Sequence, residues 1–67
     1  MENIYVFKPK ADCDWIIPIV REDENYLYNP AGRKWPKKIV DTNKAWRGNY
    51  YFSSDELKLK FCEEFYK

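Results

Sequence analysis

The chain has 67 residues, with 12 Lys and Arg against 11 Asp and Glu, no His, and a formal net charge of +1. That length predicts a single small domain over residues 1–67, and the lack of His removes the usual general base at neutral pH together with any Cys–His or Ser–His pair. Aromatic residues make up 19% of the chain, as 3 Trp, 6 Tyr and 4 Phe, and their large buried areas let so short a chain hold a core, which argues against disorder.

The N-terminal Met1-Glu2-Asn3 has neither the basic start nor the long apolar stretch of a secretory leader, and no apolar run approaches the ~20 residues of a bilayer span. The expectation is a cytoplasmic protein that does not enter membranes. Cys13 and Cys62 are too few and too widely spaced for a disulfide scaffold or a zinc cluster. Two reduced thiols are expected, with a Cys13–Cys62 bridge as the alternative in an oxidising compartment.

In chain order, Ile4-Tyr5-Val6-Phe7 reads as a strand closed by Lys8-Pro9. Trp15-Ile16-Ile17-Pro18-Ile19-Val20 reads as an irregular second strand, and Pro18, which lacks a ladder donor, places it at a sheet edge or a bulge. Asn29-Pro30-Ala31-Gly32 is the clearest turn: Asn, Pro and Gly suit the first, second and fourth positions of a type I turn closed by a bulge. It predicts a hairpin with arms Tyr26-Leu27-Tyr28 and Arg33-Lys34-Trp35, Pro36 ending the second arm. Ile39-Val40 suggests a short strand before the bend at Asp41-Thr42-Asn43. Trp46-Arg47-Gly48-Asn49 reads as another turn or a bulge and Tyr50-Tyr51-Phe52 as the last strand.

Ser53-Ser54-Asp55-Glu56 opens a helix, with Ser53 as N-cap and Glu56 completing a capping box. Leu57, Phe61 and Phe65 recur at four-residue steps, and Cys62 widens the stripe. Lys58 falls inside this apolar arc, where its stem can run past the sheet edge. Leu59 and Tyr66 extend the arc toward a loop or a partner. Glu56 with Lys60, and Glu63 with Lys67, are spaced as i to i+4 pairs. Short strands followed by one helix predict an α+β fold, a mainly antiparallel sheet of three to five strands covered on one face by the C-terminal helix. A small curled β-barrel plugged by the helix is the alternative.

Catalytic equipment is sparse. Ser53 and Ser54 are accounted for by the helix start, Cys62 by the apolar stripe, and Cys13, between Asp12 and Asp14, by a setting that suppresses its thiolate. Asp12, Asp14 and Glu22-Asp23-Glu24 carry no metal-loop spacing and read as solvated charges. With only Gly32 and Gly48, no phosphate-loop or dinucleotide fingerprint is present. The chain is expected to be no enzyme, to hold no metal and to need no cofactor. It is also expected to be too short to enclose a pocket of ~300 Å³ or more beside its core.

What remains is surface. The net charge is −3 over residues 1–30, +5 over 31–52 and −1 over 53–67. The basic middle also carries rings, and those of the hairpin's first arm come alongside it. Tyr26, Tyr28, Arg33, Trp35, Lys37, Lys38, Trp46, Arg47 and Tyr50 are therefore the candidate binding residues. Tyr, Trp and Arg dominate protein interfaces; the same types stack bases and offset phosphates of single-stranded nucleic acid. The competing account places the rings in the core, with solvated lysines around them. Acids at the start of the chain and in the helix repel phosphates, so a protein partner is preferred and nucleic acid is the alternative. An inhibitor or adaptor fits that description, as in the small modulators that viral genomes encode. A homodimer through the strand edge near Pro18 is the third reading, against a monomer.

Overall fold

The computed structural model describes residues 1–9 and 13–67, and of Cys13 and Asp14 only the backbone. The bridge Cys13–Cys62 and the carboxylates of Asp12 and Asp14 thus lie outside the described side chains. Among the described residues the fold is α+β, built from two three-stranded antiparallel sheets and one C-terminal helix, with no closed barrel.

The first sheet has β1 (Asn3–Lys8) at its centre, flanked by β2 (Cys13–Pro18) and β6 (Tyr50–Phe52). Pro18 sits on an edge strand, opposite Asn3 at the end of the ladder, where its missing donor breaks no inner hydrogen bond. Hydrogen bonds from the Ile19 amide to the Glu2 carbonyl (2.8 Å) and from the Val20 amide to the Tyr28 carbonyl (2.9 Å) carry the chain into the second sheet. That sheet contains β3 (Arg21–Glu22), β4 (Tyr26–Tyr28) and β5 (Lys34–Pro36), with β4 in the middle. β3 is too short to leave an alternation in the sequence.

The hairpin forms where its turn residues predict. The Gly32 amide meets the Asn29 carbonyl at 3.0 Å, Gly32 has φ +85, and the Asn29 side chain accepts from the Arg33 amide at 2.8 Å. Its register is Tyr26 to Pro36, Leu27 to Trp35 and Tyr28 to Lys34. Arg33 therefore belongs to the turn, and Pro36 closes the second arm from inside the strand.

β1 places Ile4 and Val6 on one face and Tyr5 and Phe7 on the other. Both faces are covered. Ile4, Val6, Ile17 and Tyr51 pack against Leu27, Trp35 and Ile39 under the second sheet. On the far side, Phe7, Tyr50 and Phe52 meet the helix α1 (Asp55–Phe65) through Phe61, whose ring lies 6.1, 4.6 and 5.3 Å from theirs. The molecule is thus three layers, helix on sheet on sheet, where the sequence reading placed one sheet with one covered face. α1 lies over β1 and β6, so Ile16 on β2 remains exposed on the helix side.

Three local details differ from expectation. The N-cap is Ser54, whose hydroxyl accepts from the Leu57 amide at 3.2 Å. Ser53 is instead claimed by Asp41, whose carboxylate takes the Ser53 amide (2.9 Å) and hydroxyl (2.5 Å). On α1, Lys58 is 7% exposed and buries its stem, as its place in the apolar arc predicts, while Leu57 and Phe65 are each 44% exposed, more than the stripe predicts. Lys58 lies 3.3 Å from Asp55, and Lys67 3.7 Å from Glu64, both at i,i+3 spacing. Ile39 ends a 3-10 turn (Lys37–Ile39), and Val40 makes only an isolated parallel bridge to Tyr51, in place of a strand. Among the described residues, no helix is long and apolar enough to cross a membrane.

Candidate functional site

The alternation that sends Leu27 and Trp35 into the core sends Tyr26, Tyr28, Lys34 and Pro36 to the outer face of the second sheet. Arg21 joins them, because β3 pairs it with Tyr28. The Arg21 guanidinium stands 3.8 Å above the Tyr28 ring, and the Lys34 ammonium 4.3 Å above the ring of Tyr26. Cation–π contacts of this kind hold both partners in defined places.

Tyr28 is fixed a second way. Its hydroxyl donates to Asp23 at 2.6 Å, and the other Asp23 oxygen accepts the amides of Asn25 (2.9 Å) and Tyr26 (2.8 Å). Together, the Tyr28 hydroxyl and those two amides pull the Asp23 carboxyl down to about 2, and the same bond pushes the Tyr28 phenol above its usual range. Glu22 points toward the N-terminal edge. It is held below the usual carboxylate range, first by its bond to Lys37 (2.8 Å) and then by the terminal ammonium (3.1 Å).

The far wall comes from the next turn. Trp46 and Asn49 exchange two backbone hydrogen bonds (2.8 and 3.1 Å), and Arg47 and Gly48 between them have φ +53 and +83, the signature of a type I′ turn. Trp46 is half-buried against the core, its ring 5.7 Å from Tyr51, and Arg47 lies 4.6 Å above it. Two open grooves meet on this face. One, of about 740 Å³, runs between the Gly32 and Arg47 turns with Arg33 and Lys34 on its rim; the other, of about 650 Å³, continues past Lys37, Lys38 and Glu24. Tyr26, Pro36 and Trp46 line both, so the two form one trough. These volumes belong to open surface, which is how a chain of this size shows concavities larger than an enclosed pocket would allow.

Of the residues singled out in the sequence, the fold gathers Tyr26, Tyr28, Arg33, Lys37, Lys38, Trp46 and Arg47 around this trough. Trp35 is 5% exposed and part of the core, because it faces Leu27 across the hairpin. The Arg33 guanidinium stands 5.4 Å from its ring. Tyr50 lies on the helix side of the first sheet, against Phe7 and Phe61. Lys37 is held by Glu22. Arg21, Asp23, Lys34 and Pro36 belong to the face without having been singled out. Lys34 and Pro36 follow from the correct hairpin register, and Asp23, two residues before Asn25 and three before Tyr26, carries the spacing of an Asx turn.

The arrangement supplies oriented cations, half-exposed rings and one fixed carboxylate, the means of recognition. Among the described residues, no three metal-ligating side chains converge. No protein-family model matches the chain, and neither a curated protein nor a solved structure matches it.

Proposed function

We propose that the chain is a small non-enzymatic interaction module that docks a protein partner on the outer face of its hairpin sheet. The trough floored by Tyr26, Pro36 and Trp46, with a cation resting on each aromatic ring, carries this reading. Rings and arginines held in place before binding lose little side-chain freedom when a partner arrives, which is what interface hot spots exploit. The Arg47 backbone adds support. A type I′ turn is best served by Asn-Gly, yet an arginine occupies the left-handed position and lays its guanidinium on the trough wall.

The test is capture from lysate with and without nuclease, followed by affinity measurement on the partner so identified. Tyr26→Ala is expected to weaken binding about thirtyfold, at unchanged circular dichroism, while Glu63→Ala on the helix leaves it unaltered. Capture that vanishes with nuclease, or equal affinity for the Tyr26 variant, would overturn the proposal.

A further inference from the structure

We infer that the segment received by this trough is acidic and that its carboxylates lie at the end between the Gly32 and Arg47 turns, an assignment that rests on the docking role proposed above. Charge is distributed unevenly along the trough. The half between those turns is lined by Arg33, Lys34 and Arg47 and by no carboxylate. The other half has Lys37 and Lys38 but also Glu24, and Lys37 is already bound to Glu22 at 2.8 Å. Among the described residues, no carboxylate pairs with Arg33, Lys34 or Arg47, so an anion placed there displaces no existing ion pair.

The cations are also in position. The Lys34 ammonium stands 4.3 Å above the Tyr26 ring and the Arg47 guanidinium 4.6 Å above that of Trp46, and a cation seated on a ring keeps N–H groups directed away from it. A carboxylate can engage those donors where they stand, with Arg33 and Arg47 able to grip it through two parallel bonds.

The same geometry weighs against single-stranded nucleic acid. A base needs the open face of a ring, and one face of each of Tyr26, Tyr28 and Trp46 is taken by Lys34, Arg21 and Arg47. A phosphate at every nucleotide would also have to pass Glu24, whereas a peptide can confine its acids to one end.

The experiment is a two-dimensional amide NMR titration of the intact chain with three probes. These are a short peptide with glutamates at one end and leucines at the other, its lysine counterpart, and oligothymidylate. The glutamate peptide is expected to move the Gly32, Arg33, Lys34 and Arg47 amides, and a spin label on its acidic end to broaden Gly32 and Gly48 ahead of Lys38. The double variant Arg33→Glu with Arg47→Glu, checked for folding by circular dichroism, is expected to lose at least about tenfold in affinity.

Tighter binding of oligothymidylate, equal binding of the lysine peptide, shifts mapping elsewhere, no shift, or full affinity in the double variant would each overturn the inference. If the partner captured from lysate depends on Tyr26 yet tolerates the double variant, the docking role stands and its acidic specificity falls.

Discussion

Tyr51 and Phe52 are neighbours in sequence and are buried on opposite faces of the same sheet, at 4% and 2% exposure. Tyr51 packs with Trp46 toward the second sheet, and Phe52 packs with Phe61 under the helix. Two cores therefore share one sheet, and each should be indispensable. Removing a fully buried Phe costs ~3–5 kcal/mol and a buried Leu ~2–5, against a total of roughly 3–10 for a domain of this size. Phe52→Ala on the helix side and Leu27→Ala on the hairpin side are each expected to unfold much of the population at 25 °C. Urea denaturation checks this, and a near-native midpoint for either variant would show that its layer is dispensable.

This two-sided burial marks where local sequence stops being informative. The turn at Asn29–Gly32, the helix after Ser54 and the strands around Val6 and Tyr51 announce themselves through residue chemistry. A three-residue strand such as Tyr50–Phe52 shows alternation without showing how many of its faces are covered, so the surplus of rings looked larger than it is. Trp35 illustrates the same limit. Arms taken as Tyr26-Leu27-Tyr28 and Arg33-Lys34-Trp35 pair Trp35 with Tyr26 on the outer face. The Asn29 side chain draws Arg33 into the turn, and the one-residue shift sends Trp35 inward. Tyr26, Tyr28, Arg33, Trp46 and Arg47 meet as their turns suggested, while Arg21 depended on a two-residue strand that no pattern announces.

Asp41 joins the layers at another point. It sits at φ +59, donates its amide to the Tyr51 carbonyl at 2.9 Å, and accepts both the amide and the hydroxyl of Ser53. Hydrogen bonds to a charged group contribute ~1.5–3 kcal/mol, and a left-handed alanine costs ~1–2. Asp41→Ala should therefore destabilise by ~3 kcal/mol, Asp41→Gly by less because the backbone is relieved, and Asp41→Asn least. Equal melting of the Ala and Gly variants would exclude the backbone contribution.

Asp23 gives the trough a pH dependence. Its folded pKa, about 2, lies below the ordinary 3.8, so its contribution is fully present above the ordinary value and is lost as pH falls through about 2. Stability is expected to decline between about pH 4 and pH 2, and Asp23→Ala to flatten that slope. Because the carboxylate is fully exposed, the change is small and best read as a difference between the two proteins. In the same variant, the Tyr28 phenol, raised chiefly by its bond to Asp23, should titrate at lower pH. Ultraviolet absorbance resolves it, and an unmoved Tyr28 titration would show that the bond is not held in solution.

Arg47 sets stability against recognition. At φ +53 an arginine is strained by ~1 kcal/mol, which Asn tolerates better, while an exposed cation–π contact such as that with Trp46 contributes ~0.5–1. Arg47→Asn should thus leave the fold unchanged or a few tenths of a kcal/mol more stable, and it removes one of the three cations at the acid-receiving end of the trough. Affinity for the partner is expected to fall several-fold as the denaturation midpoint holds or rises, the opposition that strained residues at binding sites produce. Gly48→Ala is the control: at φ +83 an alanine destabilises the turn by ~1–2 kcal/mol while every cation is retained. If both substitutions lowered stability and affinity in proportion, the arginine would be structural, and the trough would lose one of the three cations assigned to binding.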